Sequence, residues 1–203
     1  MADEILGDAL PPPVPSEEMR RRLASRRSAP AQGLAAPGPS DIELDQILRL
    51  GARTPDHGKL FPWRFVILSP EARGRIAEAL TPLAAHQPDP GKAAKTLMKL
   101  TAPPVTVLVI STPVVGHKVP VWEQQLSAGA VCMNLEHAAN AFGYHASWIT
   151  DWYSYEAEAA AMFGVRDGER IAGFIHMGTL AEAPLERPRP DMAALTSHLD
   201  QGI

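Results

Sequence analysis

The run Pro104-Val105-Thr106-Val107-Leu108-Val109-Ile110 constrains the fold more than any other part of the chain. It is β-branched and continuously apolar, so it describes an interior strand, and a strand with no polar face needs cover on both sides. Helices supply that cover. Ser40-Asp41-Ile42-Glu43 reads as a capping box that opens a helix from about Asp41 to Arg53, with Ile42, Leu44, Ile47, Leu48 and Ala52 mostly at three- and four-residue spacings. Ser16-Glu17-Glu18-Met19 starts an earlier helix, Pro70 opens another, and Lys92–Leu100 forms a further one. The longest spans Trp122–Phe142, with Gly143 as its left-handed cap. Phe65–Leu68 reads as a short buried strand, His145–Ile149 and Arg170–Met177 as strands, and Glu156–Phe163 as a helix. This order predicts an α/β sandwich around a small sheet.

No internal repeat appears in the 203 residues. Many of the 20 prolines fall in 11–15, 30–39 and 184–190, which predicts a flexible tail over 1–15 and a single domain over 16–203 that ends in a Pro-rich arm. A net charge of −4 and the lack of a sustained Lys/Arg block argue against a nucleic-acid binder. Cys132 is the sole cysteine, which excludes an internal disulfide or a multi-cysteine metal site and predicts a reducing, cytoplasmic setting. Neither a cationic leader nor a run approaching ~20 apolar residues is present, so a soluble chain with no membrane span is expected.

Chemistry concentrates at two cationic junctions. Ala52-Arg53-Thr54-Pro55-Asp56-His57-Gly58-Lys59-Leu60-Phe61-Pro62-Trp63-Arg64 is a proline-punctuated loop running into a strand, and Ser25-Arg26-Arg27-Ser28 ends a helical run. In an acidic chain, two such junctions point to one local anion site, for which the planar, permanently charged guanidinium is well suited. Solvated arginines complementing helix ends are the other reading. No Gly-x-Gly-x-x-Gly, phosphate loop, Gly-x-Ser-x-Gly or His-Glu-x-x-His is present. Glu136-His137 lacks a second histidine at ligand spacing and reads as structural, so no metal site is expected.

Taken together in order, Arg26-Arg27-Ser28, the helix ending Arg53-Thr54-Pro55-Asp56-His57, and Pro62-Trp63-Arg64-Phe65 resemble the nitroreductase family. The likeness is greatest to its small bacterial NAD(P)H members. It continues through His117–Gln124, Ser127-Ala128-Gly129, Trp148-Ile149-Thr150 and Gly173–Thr179, covering about 18–190. The resemblance implies an α+β fold, a small central mixed sheet flanked by helices, in an intertwined homodimer with FMN at the subunit interface. It also implies a ping-pong reaction in which NAD(P)H reduces the flavin, which then reduces a nitroaromatic, a quinone or a related small acceptor. The redox chemistry then belongs to the flavin ring, and no catalytic acid or nucleophile is required.

By position, the resemblance gives Arg26, Arg27 and Ser28 to the FMN phosphate and ribityl chain, and Arg53 and His57 to the partner's cofactor. It lays Trp148, Ile149 and Thr150 along the ring, with backbone amides contributing, and puts Arg187 and Arg189 at the phosphate. Lys59 and Phe61 stand where many relatives have Asn and Gln, which changes the contacts to the ring edge. This departure keeps open an alternative, a flavin-binding sensor or storage protein without efficient turnover. Ala138–Gly143 matches a segment sometimes given to NAD(P)H and also reads as packing. His117, Lys118, Trp122 and Glu123 fall near the pocket mouth, with Trp122 equally readable as a core anchor, and Cys132 reads as a packing residue.

Overall fold

The computed structural model describes Gly7 and residues 9–199; the rest of the predicted N-terminal tail and the last four residues lie outside the described part. Residues 9–15 are exposed and carry no helix or strand. Eight helices follow as α1 Glu17–Ser25, α2 Asp41–Gly51, α3 Pro70–Ala84, α4 Pro90–Thr96, α5 Met98–Thr101, α6 Val121–Ala141, α7 Ala157–Met162 and α8 Met192–Leu195. The strands are β1 Trp63–Ile67, β2 Val105–Ser111, β3 His145–Ile149 and β4 Arg170–Gly178.

Local chemistry sets most of these boundaries. At α2 the predicted capping box is complete: Glu43 N–H donates to Ser40 Oγ, and Ser40 N–H donates to the Glu43 carboxylate at 2.9 Å. Ser69 caps α3, with Pro70 in its first turn. Gly143 follows α6 with φ +88°, the left-handed conformation glycine adopts without a Cβ penalty. The single helix expected over Lys92–Leu100 is instead two. Leu97 N–H turns to the Ala94 carbonyl and Thr96 Oγ1 donates to the Ala93 carbonyl at 2.8 Å, so the hydroxyl and a tighter turn interrupt the ladder there.

The sheet has the order β1-β2-β4-β3. β2 is interior, as its apolar run requires, and its side chains alternate between two cores. Val107 and Val109 join Leu44, Ile47, Val131 and Leu135 of α2 and α6, whereas Leu108 and Ile110 join Leu80, Leu100, Tyr153, Phe163 and Phe174. The strand expected at 65–68 begins two residues earlier, ends one earlier and is an edge: Trp63 is buried, but Ile67 is exposed. The α+β class is as expected, while the mixed sheet is not. All three pairings are antiparallel. Helix α6 does carry the chain back so that β2 and β3 point the same way, but β4 inserts between them and pairs antiparallel with both.

Arg73 ties the second core together. It is almost wholly buried and donates to the carbonyls of Leu68, Leu100, Pro103 and Pro104 at 2.6–3.2 Å. Four carbonyl dipoles thus take the place of a counter-ion, and burial still holds its guanidinium below the usual arginine range.

Candidate functional site

Helix α1 ends in the predicted Arg26-Arg27-Ser28 junction, whose three residues are half-buried. Ala29 N–H donates to the Ala146 carbonyl at 2.9 Å, which docks the segment beside β3. Arg26 Nη1 stands 3.4 Å from both Ser28 Oγ and the Glu136 carboxylate. Glu136, 3% exposed on α6, also accepts from Trp148 N–H at 3.0 Å. Burial raises the Glu136 carboxyl above the ordinary range, with Arg26 and the Trp148 amide pulling the other way.

The C-terminal arm closes over this junction. Arg27 Nε donates to the Leu185 carbonyl at 3.1 Å, and Arg189 donates to the Arg26 carbonyl at 3.3 Å while pairing with Glu186. Between arm, junction and β3 lies a cavity of about 500 Å³ lined by Arg27, Ser28, Lys99, Ser147, Ile149 and Arg187, among others. Three cations around it are ion-paired: Arg26 with Glu136, Lys99 with Asp151 at 2.7 Å, and Arg189 with Glu186. Among the described residues Arg27 and Arg187 form no such pair. Glu186 also lines the cavity, accepting from Arg187 N–H at 2.8 Å and ion-pairing with Arg189, while Arg27 and Arg187 beside the Ser28 hydroxyl offer guanidinium charge suited to a phosphate. Ile149 supplies an apolar wall.

Trp148 lies over the α6 face of the sheet. Its Nε1–H donates to the Ala172 carbonyl at 3.0 Å, and the indole fills the space above Gly173 that any Cβ would occupy. The ring is 36% exposed, so one edge remains available. Its backbone amide, expected to be free for a ring, is committed to Glu136. Thr150 Oγ1 is bonded to the Tyr155 hydroxyl at 2.7 Å.

Arg53 and His57 are elsewhere. His57 Nδ1 lies 2.8 Å from the Glu123 carboxylate, and a second, open depression is formed there by Pro55, Asp56, His57, Glu123, Leu126 and Ser127. Ser127 Oγ donates to the Pro55 carbonyl at 2.6 Å, and Asn134 donates to Thr54 Oγ1 at 2.8 Å, so α6 grips this loop from below. Lys59 and Phe61 both have left-handed backbone, φ +55° and +48°, a strained state for residues with a Cβ. Asp56 accepts from Phe61 N–H at 2.7 Å and helps to hold that turn, which leaves the Phe61 ring exposed. Glu123 and Glu136 are thirteen positions apart on one helix, about 20 Å along its axis. Within one chain the two clusters therefore form separate half-sites.

Glu136, Lys99 and Asp151 are the residues that sequence reasoning missed. Each acts on a partner 52 or more positions away, so no local spacing announces it. Trp122 is 66% exposed, which removes its reading as a core anchor. Cys132 is fully buried, and burial pushes its thiol up to about 12, as a packing residue requires. Among the described residues no group of His, Cys, Asp or Glu could hold a metal ion, and no helix is long and apolar enough to cross a membrane.

An antiparallel sheet between helical layers, with a cationic cleft at the β3 edge, defines an α+β scaffold suited to a phosphate-bearing ligand. The family is settled by comparison with known proteins. Residues 23–179 match the model of the nitroreductase family, and the chain belongs to that family. It is 35% identical over 158 residues to an Escherichia coli K12 protein provisionally named NAD(P)H nitroreductase YdjA, covering 77% of this chain and 85% of the relative. A Haemophilus influenzae protein of the same description is 34% identical over 162 residues, with the same coverage. The fold is also that of a nitroreductase-like protein from Bacillus cereus, at TM-score 0.79 and 18% identity over 94% of this chain and 100% of the other. A Bacteroides fragilis nitroreductase solved with bound FMN superposes at TM-score 0.71 and 18% identity, over 91% and 100%.

Proposed function

We propose that the protein is an FMN-dependent oxidoreductase that takes electrons from NAD(P)H and delivers them to nitroaromatic, quinone or related small acceptors in a ping-pong cycle. The observation that carries this reading is the convergence of Arg27, Ser28, Ile149 and Arg187, remote in sequence, on one cavity in a chain of this family. Arg27, Arg187 and Ser28 hold the phosphate, Arg26 and Arg189 back them, and Ile149 forms the wall against the ring, with Trp148 and Thr150 flanking it in the chain. When bound, the flavin supplies hydride acceptance and donation; the protein orients it and limits access by water.

The same reading makes the active form a homodimer. α6 is apolar on two sides: Ala128, Val131, Cys132 and Leu135 face the core, while Trp122, Leu126, Ala130 and Ala141 are exposed. α1 buries no residue within the chain and leaves Met19 and Leu23 exposed. A two-fold contact covers these surfaces with the same patch twice and brings Arg53 and His57 of one chain toward the Arg27 cluster of the other. Residence in the cytoplasm belongs to the same reading, in keeping with a single, buried, free thiol.

The test is direct. Purified protein reconstituted with FMN is expected to be yellow, and anaerobic mixing with NADH or NADPH is expected to bleach the oxidised-flavin absorption. Subsequent addition of a quinone or nitroaromatic should restore it. Protein that never acquires a flavin spectrum in excess FMN refutes the reading, whereas a bound flavin that neither nucleotide reduces points to the storage or sensor alternative, which Lys59 and Phe61 keep open.

A further inference from the structure

A buried carboxylate beneath a cationic anion site is an unexpected arrangement. Glu136 is 3% exposed, projects from the C-terminal third of α6, and places one oxygen on Arg26 and the other on the Trp148 amide. The groups nearest in sequence do not neutralise it: His137 is held below its usual range by burial and by Arg26, and Cys132 stays a thiol. Arg26 is the one cation that ion-pairs with Glu136 among the described residues.

The form of that contact indicates what it does. An arginine held for orientation meets a carboxylate in two parallel bonds of about 2.7–2.9 Å. Here a single nitrogen makes the approach, at 3.4 Å, and shares it with Ser28 Oγ at the same distance. So weak a bond aims the guanidinium poorly. In the ionised carboxyl, which burial disfavours and Arg26 favours, the negative charge acts regardless of bond geometry because it is little screened. An anion taken up at Ser28, whose Oγ lies 3.4 Å from Arg26 Nη1, has beside it a guanidinium whose field is already partly cancelled.

We propose that Glu136 is a specificity-determining residue that lowers the affinity of the Arg26 junction for a phosphate-bearing flavin, keeping FMN and riboflavin closer in affinity than the surrounding cations alone would. The consequence is an exchangeable cofactor. This inference rests on the flavin reading above, and the test separates the two.

Flavin-free protein is titrated with FMN and with riboflavin for the wild type, Glu136→Gln, Arg26→Ala and the double variant. Gln keeps an oxygen for the Trp148 amide, so the β3 anchor persists. In Glu136→Gln, FMN binding is expected to tighten by roughly 10- to 30-fold, the size for two unit charges about 8–12 Å apart at an effective dielectric constant of about 20, with riboflavin unchanged. In the Arg26→Ala background the same substitution is expected to change neither affinity, since a buried carboxyl deprived of its cation takes up a proton and Gln then replaces a neutral acid. An FMN-to-riboflavin affinity ratio that stays constant or falls in Glu136→Gln overturns the proposal. If wild-type protein binds neither flavin, the flavin reading fails by itself. Inorganic phosphate then serves as the probe: greater thermal stabilisation of Glu136→Gln than of wild type supports the charge effect, and equal or smaller stabilisation overturns it.

Discussion

Gly173→Ala tests how Trp148 is seated on the sheet next to the cavity wall at Ile149. The new methyl group falls within the indole of Trp148, overlapping Nε1 and Cδ1, so the ring must leave its place above β4. That breaks the bond from Nε1–H to the Ala172 carbonyl, worth about 1 kcal/mol. It also exposes roughly 100 Å² of aromatic surface, about 2.5 kcal/mol at 25 cal/mol per Å². The smaller unfolded-state entropy of alanine offsets about 0.5–1 kcal/mol. The net expectation is a loss of ~2–3 kcal/mol. Urea unfolding followed by far-ultraviolet circular dichroism, at fixed protein and FMN concentrations, measures it. The decisive arm is Trp148→Ala, in which the obstacle is gone and Gly173→Ala should become neutral or stabilise slightly. The expected coupling in the double-mutant cycle is therefore ~2–3 kcal/mol. Equal cost of Gly173→Ala in both backgrounds would refute the argument, because the indole could not then be what the methyl meets.

Three further outcomes are expected. Arg73→Met leaves four buried carbonyls without their donor and should destabilise by ~3–5 kcal/mol in the same unfolding assay, with the FMN-to-riboflavin affinity ratio unchanged. His176 is fully buried against Thr106, and burial, with Arg73 and Lys99 adding to it, depresses it from 6.5 to about 3. The unfolded chain therefore binds a proton that the native state refuses: its contribution is complete above pH 6.5 and is lost as pH falls toward 3, by at most on the order of 5 kcal/mol. His176→Leu with Thr106→Val should flatten that acid slope in stability measured against pH. Leu126→Glu adds a charge to a side chain that is exposed within one chain, so a monomer would tolerate it; the homodimer reading expects loss of the dimer in sedimentation velocity and weaker FMN retention.

What the sequence disclosed was local. Signals written in neighbouring residues, such as Ser40 with Glu43 and the first-turn Pro70, located helix starts closely, and the unalternating β2 could only be interior. The Arg26-Arg27-Ser28 junction and the arm arginines were legible as motifs, and the structure gathers Arg27, Ser28 and Arg187 around one cavity. Strand direction was not legible, because it depends on β4 entering between two strands already joined by α6. The charge partners were equally hidden. Glu136 meets Arg26 across 110 positions and Glu123 meets His57 across 66, and no periodicity encodes such a meeting. The strain at Lys59 and Phe61 also escaped, since neither residue type advertises a left-handed backbone.

The strand order has a consequence for how the chain comes into being. β4 is the last strand made, yet it supplies the inner edge to both β2 and β3. Until Gly178 has been synthesised, the most apolar strand in the protein has only β1 beside it, and β3 has no strand neighbour at all. The sheet cannot grow from one end as the chain emerges; it waits for its centrepiece and then closes across long sequence separations, a slow class of folding event. Through most of its synthesis the chain therefore carries exposed strand edges of the kind that aggregate, and its yield in a cell depends on how well those edges are shielded before the C-terminal third arrives.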